Sequence, residues 1–371
     1  MRKSKEDIKN VKSNELSTPI LFLVPGFPRN EEDSTCIPAL QQYIYHFAKL
    51  NPDINIGVVA FQYPYRKRKY KWHGIDIYPC GGRGKRRFYR LLTWLLAIYY
   101  VLRFHFKFRA TIIHSFWLAE CGFVGHVMSR ILLTKHIASI MGQDVFGINL
   151  YLKYFDYSHM FVTAPSKNAA EVFLHTSQFP VNAITPIGLD EENFKTKMKK
   201  QTRKIDILGV GSLISLKNYK LFIKIIGKLK KHFPTIKAVI IGEGTEYYHL
   251  EQMIIDDELE NNIELFGKLS RPETIEYMYQ SKILLHTSNY ESQGYVFLEA
   301  LYSGLTVVCF NVGFVERSER MFVCSGEKEM IENLKRILNQ KLIYQPILLK
   351  SINDTVDEFR QIYALQNQTI S

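Results

Sequence analysis

Cysteine is scarce in this sequence: five in 371 residues, scattered at Cys36, Cys80, Cys121, Cys309 and Cys324, with no C-x-x-C pair. Neither a disulfide framework nor a cysteine-based zinc site is indicated. Long apolar runs are missing too. The longest, Leu91–Leu102, is twelve residues clamped between Arg90 and Arg103, against the ~20 that a membrane span requires. The first nineteen residues are polar, which does not read as a signal peptide. A cytoplasmic chain is expected, peripheral at most to the inner face of a membrane. Acid is lacking in one place. Between Phe61 and Ala110 thirteen Lys and Arg face a single acid, Asp76, so this window alone carries +12, the formal charge of the whole chain. A charge excess that local calls for a local partner, such as an anionic surface.

Several catalytic signatures are also missing. There is no G-x-x-x-x-G-K-[ST]; Gly81–Lys85 has the glycines and lysine but Arg86 where the hydroxyl belongs. The G-x-G pairs Gly209/Gly211 and Gly242/Gly244 follow apolar runs, but Ile214 and Tyr247 stand where a dinucleotide fingerprint needs its third glycine. That counts against an NAD-dependent oxidoreductase. No Asp-x-Asp and no H-E-x-x-H occurs, so no metal ligand set is visible. No nucleic-acid recognition motif accompanies the basic window, and none is expected to bind there.

What is there is a globular composition, 46% hydrophobic and 23% charged, and a regular alternation. Short β-branched runs (Ile20–Val24, Ile54–Phe61, Ile75–Tyr78, Thr111–Ser115, His136–Met141, Met160–Ala164) alternate with helical spacing, and the pattern repeats from Ile205–Val210 through Val307–Phe310. Such alternation predicts doubly wound α/β with parallel sheets. Two Rossmann-like domains are expected, over 1–190 and 205–345. The polar segment 191–204 would link them, and a terminal helix within 346–371 could cross back to the first domain.

One constellation carries chemistry. After Ile205–Val210 comes Gly211-Ser-Leu-Ile-Ser-Leu-Lys217, a glycine turn and a lysine at a helix start, suited to a phosphate. The same pieces could also be a solvated capping lysine. Downstream, Glu291-Ser-Gln-Gly294-Tyr-Val-Phe-Leu-Glu299 sets two carboxylates eight residues apart around a glycine and a helix start. Read alone, this is equally an acid favouring a helix dipole and a solvated one.

Taken together, GVGSLISLKN, AVIIGEGTEYYHLEQMI, IELFGKLSRPETIEYMYQSKILLHTS and ESQGYVFLEALYSGLTVV resemble the family 4 glycosyltransferases, retaining enzymes of the GT-B fold, over Ile205–Phe310. PGFPRNEEDS, IIHSFW, MGQDV and PIGLD resemble the family's first domain more loosely. The resemblance implies a nucleotide-sugar donor (UDP- or GDP-sugar), a glycan or lipid-linked acceptor as in bacterial cell-surface polysaccharide assembly, and no tightly bound cofactor or metal. Glu291 would hold the donor sugar near the reacting carbon, Glu299 the ribose, and Lys217 with the amides of Gly294, Tyr295 and Val296 the diphosphate. Gly211 and Ser212 would line the phosphates, and Gly267 and Lys268 would border the base. Gly26 would let backbone approach the donor and acceptor, and His114 would stand at the cleft beside the sugar. Asp144 belongs to a variant of the family's H-G-x-D turn, and Glu243 is a candidate that could equally be a surface acid. Ser212 stands where the family commonly has arginine, Gln293 replaces an aromatic, and Met141 replaces a histidine.

The similar enzymes transfer sugar with retention, the leaving phosphate taking the acceptor's proton, so catalysis is positioning and charge stabilisation. A noncatalytic partner of the same fold is the rival reading, with Ser212 as its mark. The segment Arg86–Lys107 reads either as a core helix with a basic end or as an element lying on a membrane surface, burying Leu91, Leu92, Trp94, Leu95, Ile98, Tyr99 and Leu102 there.

Overall fold

The computed structural model describes residues 18–84, 88–195, 202–316 and 318–368. Lys85, Arg86 and Arg87 of the basic window and 196–201 of the expected linker lie outside them. The chain divides into two compact units, 1–188 with 352–371 and 189–351.

The first unit holds β1 (Ile20–Gly26), β2 (Ile56–Tyr63), β3 (Tyr70–Trp72), β4 (Ile75–Pro79), β5 (Ile112–Phe116), β6 (Lys135–Ser139), β7 (Met160–Ala164) and β8 (Ala183–Ile184). They form one sheet in the order β3-β4-β2-β1-β5-β6-β7-β8. All neighbours are parallel except β3, which pairs antiparallel with β4. Parallel strands are buried on both faces, and β1 and β5 are almost wholly so. The terminal helix Ile352–Gln368 belongs to this unit. Its Tyr363 hydroxyl lies 2.7 Å from that of Tyr43, on the helix Pro38–Leu50, and both side chains are fully buried.

The helix Phe88–Phe108 divides its two faces unequally between core and solvent. Ala97, Tyr100, Val101 and Phe104 are buried against the sheet. On the other side Leu91, Leu95, Tyr99 and Phe106 are 49%, 54%, 51% and 65% exposed. Among the described residues it is the one helix with the length and mean hydropathy, 1.2, to cross a membrane. Of the seven residues that the membrane-surface reading buries in a membrane, Trp94, Ile98 and Leu102 pack partly buried against this core, and Leu91, Leu92, Leu95 and Tyr99 are exposed.

The second unit holds β9 (Ile205–Val210), β10 (Ala238–Ile241), β11 (Ile263–Phe266), β12 (Ser281–His286), β13 (Thr306–Phe310) and β14 (Met321–Cys324), a parallel sheet ordered β11-β10-β9-β12-β13-β14. Its two faces are covered by apolar helices through separate cores, one around Phe222, Ile226 and Leu334, the other around Phe297, Leu301 and Met278. Asp190, expected to close the first domain, lies in this unit: its carboxylate accepts from the Glu192 N–H and the Asn193 side chain. The start of the presumed linker folds because Phe194, its one large apolar residue, is fully buried against Tyr279 and Tyr302.

Candidate active site

At the carboxyl ends of β9 and β10 the two G-x-G loops meet each other. A Cβ on Gly242 would lie 1.9 Å from the Gly211 carbonyl oxygen, and one on Gly244 2.3 Å from that of Leu213. The glycines exist for this contact, loop against loop, before any ligand is considered. Ser212 is exposed beside it. Lys217 follows in a short turn, Ser215–Lys217, and Asn218 in the left-handed conformation (φ 52°) starts the helix Tyr219–Lys230.

The loop after β12 is tied to this turn. The Asn289 N–H donates to the Leu216 carbonyl (3.0 Å) and the Thr287 hydroxyl to that of Lys217 (3.1 Å). Glu291 is thereby brought to Lys217. Its Oε1 accepts from Lys217 Nζ and, at 2.7 Å, from His286 Nε2. Burial alone would raise this carboxyl; the hydrogen bond from His286 and the charge of Lys217 outweigh it and bring the pKa down to about 2. Glu291 is therefore an anion at neutral pH. Gly294, at φ 70°, turns the chain into the helix Tyr295–Tyr302, whose N-terminal end carries the partial positive charge of its first-turn amides.

Glu299 lies about one turn into that helix and receives Arg271 Nε at 3.1 Å, with side chains 13% and 10% exposed. Burial pushes the Glu299 carboxyl up while the guanidinium opposes it. Arg271 opens the helix Arg271–Gln280 behind the Ser270–Glu273 capping box. Gly267 has open space where a Cβ would stand, whereas Lys268 and Glu243 pair at 2.8 Å with exposed side chains. Glu243 is therefore an exposed acid in a pair worth little to stability. Among the described residues no group of three or more His, Cys, Asp or Glu is placed to hold a metal.

The first-unit candidates fare differently. His114 is not at any cleft: it is fully buried, with Nδ1 2.7 Å from the Tyr363 hydroxyl and Nε2 2.8 Å from that of Ser139. Burial holds it well below the usual imidazole range, hence neutral. Enclosed by the neighbouring strands and the terminal helix, this β5 residue exposes no surface to solvent. Asp144 is likewise spent on the fold. Its Oδ2 accepts from the Leu118 N–H and its Oδ1 from the Gly142 N–H, both at 2.7 Å, which joins the loops after β5 and β6. Gly26 is buried at the end of β1, where a Cβ would make ordinary contact, 3.4 Å, with Cys36 and Tyr63.

Sequence reasoning missed His286 and Arg271. His286 ends its strand five residues before Glu291, and Arg271 stands inside an S-R-P-E cap. Both signals were present; neither says which carboxylate the base will meet.

Residues 190–346 match the family described as Glycosyl transferases group 1. Over 95% of its length the chain superimposes on sucrose-phosphate synthase from Thermosynechococcus elongatus (TM-score 0.66, 15% identity, 98% of that chain). It also superimposes over 95% on Anabaena HepE solved with UDP and glucose (TM-score 0.64, 17% identity, 95% of that chain). The chain has the fold of the GT-B glycosyltransferases. In sequence it is similar to the GPI3 subunit of phosphatidylinositol N-acetylglucosaminyltransferase from Saccharomyces cerevisiae, 28% identical over 138 residues. That stretch is 35% of this chain and 30% of the yeast one, so the chain spans under a third of that relative's length. The family match falls wholly within the second unit of this GT-B chain, where Lys217, Glu291 and Glu299 lie.

Proposed function

We propose that this GT-B protein is a retaining glycosyltransferase of the family 4 type, moving a sugar from a nucleotide-sugar to a lipid-linked or glycan acceptor without a metal. The observation that carries it is the Glu291 carboxylate shared by Lys217 and His286 beside the Gly294 helix start. An anion fixed there can orient the hydroxyls of a donor sugar, and Lys217 with the helix amides can take the charge of a departing diphosphate. Glu299 takes the ribose. The HepE complex supports UDP as the nucleotide, and the yeast relative's name supports a lipid acceptor.

Thermal stabilisation by UDP- and GDP-sugars, with magnesium and with a chelator, tests the reading. A nucleotide-selective shift unaffected by the chelator and lost in Glu299→Ala is expected. No shift with any donor would favour the noncatalytic partner, since Ser212 supplies no guanidinium to the phosphates.

Location belongs to the same proposal. The helix Phe88–Phe108 has no acid, carries Arg90, Arg103 and Lys107, and turns leucines and tyrosines to solvent. This is the composition of an element that lies in an anionic membrane surface. Replacing Leu91, Leu95 and Tyr99 together by serine is expected to weaken binding to vesicles containing phosphatidylglycerol at least ~10-fold, by the apolar area lost. Unchanged vesicle binding would assign that face to something else.

A further inference from the structure

The Arg271–Glu299 pair is incomplete in a way that suggests what completes it. Arg271 is nine-tenths buried and its ring of neighbours is otherwise settled: Nε donates to Glu299 Oε1 at 3.1 Å, and the guanidinium lies 5.8 Å from the Tyr295 ring centroid. Its Nη2 is buried with no hydrogen-bond partner. In a guanidinium Nε–H and one Nη–H point off the same edge, and a carboxylate commonly takes both. Here Glu299 takes one, and its second oxygen accepts from no described residue. A buried charged donor left without an acceptor is destabilising, and native structures tolerate it where something else supplies the acceptor.

The unused groups are an N–H donor and a carboxylate acceptor on two side chains that touch. A hydroxyl both donates and accepts, so it satisfies the two together, and a vicinal diol fits better still. A phosphate oxygen can serve Arg271 but is repelled by Glu299. We infer that Arg271 is a specificity-determining residue that reads a ribose hydroxyl of the donor nucleotide jointly with Glu299, and so makes the site selective for ribonucleotides over deoxyribonucleotides. The inference rests on the proposal that Glu299 faces the ribose; the part played by Arg271 is additional to it. A site built to pair with a hydroxyl discriminates strongly against the analogue that lacks it, because its own buried groups are then left unpaired.

The test is calorimetric titration of the whole chain with UDP and GDP and with the 2′-deoxy and 3′-deoxy forms of whichever binds. Wild type is expected to bind the ribonucleotide at least ~10-fold more tightly than one of the deoxy forms. In Arg271→Met that ratio is expected to fall several-fold, what is left being the share that Glu299 supplies alone. Because Arg271→Met leaves Glu299 buried without its cation, the charge-neutral double variant Arg271→Met/Glu299→Gln is measured beside it, with melting curves on both. A ratio that survives in a folded variant, or a wild type indifferent to both deoxy forms, would overturn the inference. An equal loss of affinity for all forms, ratio intact, would overturn it too and leave Arg271 a structural residue. Wild type that binds neither nucleotide would instead sink the donor-site reading on which the inference rests.

Discussion

Glu291→Gln is expected to lower kcat by two to three orders of magnitude and to lower the melting temperature as well, since a carboxyl held at about 2 is one whose charge the fold stabilises. The substitution keeps the shape of the side chain and removes its charge. Lys217 and His286 then lose the anion they share, and the donor sugar loses a fixed acceptor for its hydroxyls. Losing one preorganised charged contact at a reacting centre costs about 3–4 kcal/mol of barrier, which is that factor. The fold survives because the Lys217 side chain is 20% exposed and water can solvate its ammonium. Single-turnover transfer from the donor selected above measures it, with kcat and KM separated. A variant within tenfold of wild type would remove Glu291 from the chemistry and leave it a partner of Lys217 only.

Gly242→Ala is expected to have the largest effect on stability. The added Cβ would lie 1.9 Å from the Gly211 carbonyl oxygen. That atom is backbone, held because the Gly211 N–H donates to the Ile241 carbonyl at 3.0 Å, so no rotamer relieves the overlap. The ends of β9 and β10 must part, at a cost of about 3 kcal/mol, or roughly 6–12 °C in the melting temperature of a unit this size. Gly267→Ala is the control, since a Cβ there meets nothing within 4 Å. It should melt like wild type. If Gly267 borders the base, its donor KM should rise. Equal melting temperatures for the two variants would contradict the loop-to-loop contact.

Much of the architecture was legible because a parallel strand is a short apolar run and a covering helix has a longer period. β7, β9, β10 and β11 begin and end where the apolar runs do. What escaped were elements with few residues to carry a pattern: β3, with three residues pairing antiparallel at the sheet edge, and β14, with four. The carboxylates and lysine of the site were legible from spacing. Their partners were not, because Arg271 and Glu299 are 28 positions apart and Lys217 and Glu291 are 74 apart. Which base meets which acid is decided by strand order, which no local window contains. His114 was placed beside the sugar by the resemblance of IIHSFW alone, and a motif match does not show which side chains of a strand buried on both faces stay enclosed, as His114 does.

The terminal helix bears on how the chain is made. Tyr363 hydrogen-bonds within the first unit to Tyr43 and His114, and Phe359 stacks beside it at 6.0 Å between ring centroids. During vectorial synthesis, residues 20–188 leave the ribosome long before these side chains exist. The half of the molecule that emerges first is the half whose core is closed last. Until then β1 and β5 lack their final cover, and the second unit, which is one uninterrupted stretch, can fold ahead of it.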